Sequence, residues 1–262
     1  YTAVLCLFYH YIWVGGYLVI GGGAHASIFL IGDHLYQETM NRFFEEVLNH
    51  RDIVIGHLIW ATRTLGLHTF SLYIHNDTLQ ALGRPEDMLH DTAYLQFKPI
   101  FARLLQTGPL LLSLVIEMLD SKLLRITQEL GTADVLVHHI HAFTIHAALL
   151  IFTKGILYAR NTRLVSEKLD LGFRYACDGP GRGGTCQISP WDHIYLIVFW
   201  MYNAFSVVLF HYFWKMQSDV RGIYKTKMLH IMHITGIGDY SINSTTINGW
   251  LRNLLWSQAA QV

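Results

Sequence analysis

Two cysteines, Cys177 and Cys186, bracket Asp178-Gly179-Pro180-Gly181-Arg182-Gly183-Gly184-Thr185. A pair of thiolates can hold part of an iron–sulfur cluster. A glycine-rich turn lets backbone N–H groups point inward, where donors to sulfur tune a cluster's potential. Arg182 adds positive charge beside such an anionic group. The spacing alone fits two free thiols or a local disulfide, and the contents of the loop shift the balance towards half of a cluster site. Four-iron ligation takes four thiolates, so a second polypeptide would have to supply the other two. Cys6, the third cysteine, lies in an apolar run and is expected to be a packed apolar residue.

The second constellation is histidine. The chain has 16, many inside apolar runs where a polar ring needs a partner. His50, His57, His68 and His75 are spaced 7, 11 and 7, which at about 100° per residue places them on one stripe of one long helix. His139 and His146 repeat the spacing of seven, and His10 and His25 sit in the first apolar run. A neutral imidazole in such a run suits an axial metal ligand, one nitrogen binding and the other donating to a carbonyl or water. A single buried histidine is more often a satisfied polar group, but four on a stripe favour ligands to planar macrocycles. Haem would want paired histidines on facing helices. A di-iron site would want clustered histidine boxes; His138-His139-Ile140-His141 has that look but no acidic residue within it. Magnesium–chlorin binding accounts best for the number and the dispersion.

The elements that must position these groups read as membrane helices. Of the 262 residues, 52% are hydrophobic, 13% aromatic and only 15% charged, where about 25% charged is usual in soluble domains. The net charge is zero, so nothing in bulk electrostatics favours nucleic acid or an acidic substrate. Three cysteines make no secreted disulfide framework, and the chain opens at Tyr1 without the basic region of a signal peptide. The reading is one all-α membrane domain over residues 1–262, with spans at about 4–31, 53–74, 135–156 and 194–214. Arg63 interrupts the second span and demands pairing, snorkelling or a polar cavity. The cysteine loop occupies 173–192, between the third and fourth spans. Surface or interfacial helices are expected at Asn41–Leu48, Pro109–Leu124 and about 247–258. Four spans put the loops after the first and third on one side, and the arginines of 160–191 weakly favour that side as cytoplasmic or its equivalent.

Several stretches carry a resemblance. CDGPGRGGTC followed by WDH and FWMYN, with LYIHNDT at 72–78, ALGRP at 81–85, GTADVLVHHIHAFTIH at 131–146, FHYFWKMQSDV at 210–220 and TINGWLRNLLW at 246–256, resembles the large core subunits of photosystem I. Gln187, His193 and Phe199–Asn203 resemble the PsaA side of that family rather than PsaB. The resemblance covers nearly the whole chain apart from about 107–130 and 224–231. It implies spans seven to ten of an eleven-span fold in a thylakoid membrane, plastid or cyanobacterial. It also implies a light-driven plastocyanin or cytochrome c6:ferredoxin oxidoreductase, active only as part of the complex.

Residue by residue, the resemblance implies that Cys177 and Cys186 ligate the [4Fe–4S] centre X shared with PsaB. Asp178 and Arg182 would lie on the stromal docking surface for PsaC. His10, His25, His50, His57, His68, His75, His138, His139 and His146 would coordinate the magnesium of antenna chlorophyll a. Asn203 would hold an accessory chlorophyll through water, and Trp256 would meet plastocyanin or cytochrome c6 at the lumenal face, where 247–258 forms an amphipathic helix. Carotenoids such as beta-carotene, membrane lipids, antenna proteins, other photosystem I subunits and chains supplying the remaining spans complete the implied surroundings. Phylloquinone belongs to that complex, but the span that would hold it, the special pair and the primary acceptor has no counterpart here. The chain departs from the family in Tyr11 after His10, where a second histidine is usual, in Tyr175-Ala176 before the first cysteine, in Pro190, and in the charges of Arg63 and Arg221. Two other readings stand beside this one: a light-harvesting protein without a redox role, and a haem or di-iron membrane oxidoreductase.

Overall fold

The computed structural model describes residues 45–88, 132–215 and 243–260, and within the first 25 residues 6–7, 10–11, 13–18, 21–22 and 25. The expected first span lies largely outside these, as does the helix expected at 109–124. The regular structure among the described residues is helical, with no strand. They form two compact units, one from Tyr1–Leu67 with Ile140–Phe210, the other from His68–His139 with His211–Val262.

Three long helices dominate: α1 (Arg51–Ala81), α2 (Thr132–Leu157) and α3 (Pro190–Lys215). Both α2 and α3 are long and apolar enough to cross a membrane. Large apolar side chains such as Trp60, Leu67 and Phe199 stand exposed on the helices, an arrangement that water would penalise and lipid or pigment would not.

Each helix end has an identifiable cause. Helix α1 begins just after His50, whose carbonyl accepts from the Val54 N–H at 3.2 Å. It ends where Gly83 turns to φ 70°, with the Gly83 N–H bonded to the Gln80 carbonyl and the Arg84 N–H to Leu79. That is a Schellman cap, and Pro85 prevents resumption. The start of α3 is fixed by Ser189, whose hydroxyl accepts from the Asp192 N–H at 3.1 Å and donates to the Asp192 carboxylate at 2.6 Å. Pro190 takes the first helical position, where no N–H is needed.

Helix α1 runs seven residues past the expected limit of its span at Ile74, because the second unit satisfies its polar end. Asn76 is fully buried and donates to the Thr245 carbonyl at 3.0 Å, and the Asp77 carboxylate accepts from the Asn248 N–H. There Trp250 meets Trp214 edge-on at 4.8 Å and donates its indole N–H to Ser244. The tail helix, α4, spans residues 247–260. It is capped by Thr246 and widens to π-geometry over Trp250–Trp256. In the first unit, glycines let aromatic rings reach the backbone. A Cβ on Gly66 would come within 2.7 Å of Phe143, which itself meets Trp200 edge-on, and one on Gly155 within 2.8 Å of His193. Close helix approach through small residues is the usual substitute for hydrophobic drive in a membrane.

Candidate functional site

The loop from Phe173 to Asp192 closes through nested ties. The Trp191 N–H bonds the Phe173 carbonyl at 3.1 Å, Gln187 N–H bonds Ala176 at 3.5 Å, and Gly184 N–H bonds Gly181 at 3.0 Å. Between the last two, the buried Thr185 hydroxyl accepts from the Asp178 N–H at 2.8 Å and donates to the Gly179 carbonyl at 2.5 Å. Cys177 and Cys186 lie between the 176–187 tie and the 178–185 tie, so they occupy opposing positions at the neck. Both are exposed free thiols.

The turn requires left-handed backbone at Gly183 (φ 80°) and Gly184 (φ 93°), and also at Arg182 (φ 55°). Arginine takes that conformation at a cost. It is held there by its guanidinium, which donates to the Asp178 carboxylate at 2.5 Å, to the Asp178 carbonyl at 2.8 Å and to Leu164 at 3.4 Å. Asp178 and Arg182, both expected on a docking surface, form one ion pair across the turn. Arg174 lies over the Trp191 ring at 4.7 Å and fastens the base of the loop to α3.

The donor set fits one half of a four-thiolate cluster: two free thiols at one neck. Among the described residues no group of three histidine, cysteine or acidic side chains converges. Cys6 differs from its expectation. It is exposed, and its carbonyl accepts from His10 Nδ1 at 2.7 Å.

Among the candidate ligands, His57, His139 and His146 share one geometry, which His10 also adopts. Nδ1 lies 2.7 Å from the Ile53 carbonyl in His57, 2.8 Å from Val135 in His139 and 2.6 Å from Ala142 in His146. Side chains on a helix lean back over the preceding turn, which brings Nδ1 to the carbonyl four residues earlier. That bond requires the proton on Nδ1 and leaves a lone pair on Nε2, the tautomer of a metal-ligating imidazole. His25, His57, His68, His75 and His138 are exposed, and His139 and His146 half-exposed. His50 is exposed too, but it sits at the turn preceding α1 rather than within it. Asn203 and Trp256 are exposed on α3 and α4.

Sequence reasoning misses a polar cluster at the end of α2. Arg51 donates to the Leu157 and Asn161 carbonyls at 2.9 and 3.1 Å and covers the Tyr158 ring at 4.3 Å. Asp52 accepts from the Tyr158 hydroxyl and from Arg163. The Tyr158 bond, with Arg163 beyond it, holds the Asp52 carboxyl below its usual range. Lys168, 2% exposed, donates to the Tyr158 carbonyl at 2.7 Å. Two cations thus serve the carbonyls that end α2, where the helix dipole favours them. No local motif announces the cluster, since its partners are far apart in the chain; only the polarity of Arg51-Asp52 at a span's edge hints at it.

Burial, with Lys154 and Arg51 adding repulsion, brings the Lys168 amine down from 10.5 to about 8. The unfolded chain therefore holds this proton more tightly than the folded one. The penalty is complete below about pH 8 and fades towards pH 10.5, so this residue's contribution to stability rises over that window. Relative to Lys168→Met, the parent complex should gain about 2–4 °C in melting temperature between pH 8 and 10. A difference that stays flat with pH in thermal chlorophyll-release scans would refute this.

Comparison with known proteins comes to the same place. A family model described as photosystem I psaA/psaB protein matches residues 1–128 and 113–262. The photosystem I P700 chlorophyll a apoprotein A1 of Heterocapsa triquetra is 57% identical over 289 aligned positions, covering 100% of this chain and 39% of that protein. The proteins of the same name from Cyanophora paradoxa and Nostoc punctiforme are 51% and 50% identical, again over 100% of this chain and 37% of their own length. The chain thus spans under two fifths of the length of the relatives it matches.

Proposed function

Because the chain belongs to the photosystem I PsaA/PsaB family, we propose that it forms part of a PsaA-type core in a thylakoid membrane. In this reading it takes part in light-driven electron transfer from plastocyanin or cytochrome c6 to ferredoxin. Histidines 10, 25, 50, 57, 68, 75, 138, 139 and 146 hold chlorophyll a. Cys177 and Cys186 hold half of a [4Fe–4S] centre completed by PsaB, and Asp178 with Arg182 meets PsaC. Asn203 serves an accessory chlorophyll, and Trp256 meets the electron donor. Carotenoids fill the apolar surroundings. When bound, these groups supply light absorption and one-electron transfer. The chain's own work is to place them, set their surroundings and exclude water.

The observation that carries the reading is the geometry of His57, His139 and His146: Nδ1 engaged by the chain's own carbonyl, Nε2 left to bind, and the rings at the helix surface. Replacing His57 with Leu should remove one chlorophyll per complex, or shift one absorption band, while charge separation continues at near the parent yield. Pigment analysis and flash absorption on the purified complex measure both. A full pigment complement with unchanged bands, or collapse of the whole complex, would overturn the ligand role.

A further inference from the structure

Gln187 holds its backbone in the left-handed region, at φ 54°. Few residues other than glycine do so, and such a conformation persists only where the surroundings impose it. Gln187 directly follows Cys186, and its side chain is exposed. Two anchors impose its backbone. Before it, Thr185 is 2% exposed and clamped between the Asp178 N–H and the Gly179 carbonyl. After it, Ser189 is fully buried and caps α3 by accepting from the Asp192 N–H. Pro190 confines Ser189 to extended backbone. Only Cys186, Gln187 and Ile188 join the two anchors.

Three residues between fixed ends have little freedom. If position 187 leaves the left-handed region, Cys186 or Ile188 must take up the change. Ile188 is half-buried, whereas Cys186 is exposed, so Cys186 is the residue that moves. The tie from the Gln187 N–H to the Ala176 carbonyl, already long at 3.5 Å, would be lost with it. We propose that Gln187 is a positioning residue for the cluster: its left-handed backbone, rather than its amide, sets Cys186 opposite Cys177. The inference rests on the reading of these two cysteines as cluster ligands.

The test compares three variants in the whole complex, by iron per chlorophyll and by the low-temperature EPR spectrum. Glycine takes the left-handed region without cost, and alanine is unbranched at Cβ, as glutamine is. Gln187→Gly and Gln187→Ala should therefore keep the parent iron content and spectrum. A β-branched residue is an outlier in that region, so Gln187→Val should lower iron per chlorophyll about tenfold. The cluster that remains should give a shifted EPR spectrum, which a general loss of stability would not produce. Parent iron content and spectrum in Gln187→Val overturn the proposal. So does a loss in Gln187→Gly or Gln187→Ala equal to that in Gln187→Val, which would assign the effect to the amide. A parallel fall of chlorophyll and iron in Gln187→Val overturns it too, since the residue would then hold the fold and not the ligand. Cys177→Ser separates the underlying reading: unchanged iron–sulfur spectra in that variant remove the cluster from this loop, whatever position 187 does.

Discussion

Replacing Cys177 with serine is expected to abolish most of the low-temperature EPR signal of the iron–sulfur centres in the assembled complex, by about tenfold or more per chlorophyll. A serine oxygen is a poor substitute for a thiolate on iron, and the site has no spare ligand: among the described residues no third metal-binding side chain lies with the pair. The substitution is nearly isosteric at an exposed position, and none of the hydrogen bonds that close the neck uses the thiol. The loop should therefore keep its shape, and antenna chlorophyll should fall far less than the EPR signal. Unchanged iron–sulfur spectra would remove the redox assignment and leave a light-harvesting role for the same chain.

The second large effect is expected at Thr185, which binds nothing itself. Its hydroxyl is buried and serves both sides of the neck, accepting from the Asp178 N–H and donating to the Gly179 carbonyl. Thr185→Val keeps the shape and deletes both bonds, leaving a half-buried donor and acceptor, each costing at most about 1–3 kcal/mol when unsatisfied. Loss of that order should open the neck, misplace Cys177 against Cys186 and lower cluster retention about tenfold, whereas Thr185→Ser should keep it near the parent level. Equal iron content in the valine and parent complexes would show that the neck is held by the remaining ties.

Much of the site was legible in the sequence because its signals are local. The charge-free runs, the 7–11–7 histidine stripe and the glycines between the cysteines each describe neighbours along the chain. Periodicity has limits, however. It puts His50 on the stripe, yet the helix starts at Arg51, because a stripe extrapolates through a turn that happens to keep the angle. It also closes the span near Ile74, whereas Asn76 and Asp77 stay helical to bond with Thr245 and Asn248. Thr185 was invisible because threonine in a polar loop carries no signal; only the ties on either side give it meaning. The Ser189-Pro190-Trp191-Asp192 start of α3 could have been found, since a capping pattern before an apolar run is a local signal. The Arg51, Asp52, Tyr158 and Lys168 cluster could not, because it depends on which helix ends meet.

The independence of the neck from its thiols has a consequence for the order of events in biogenesis. Many metal sites exist only once the metal has arrived, so that ligand capture and folding are a single transition. Here the bonds that close the loop come from backbone, Thr185 and Arg182 and use neither sulfur. On the function proposed above, cluster insertion would then be a step separable from the folding of this loop.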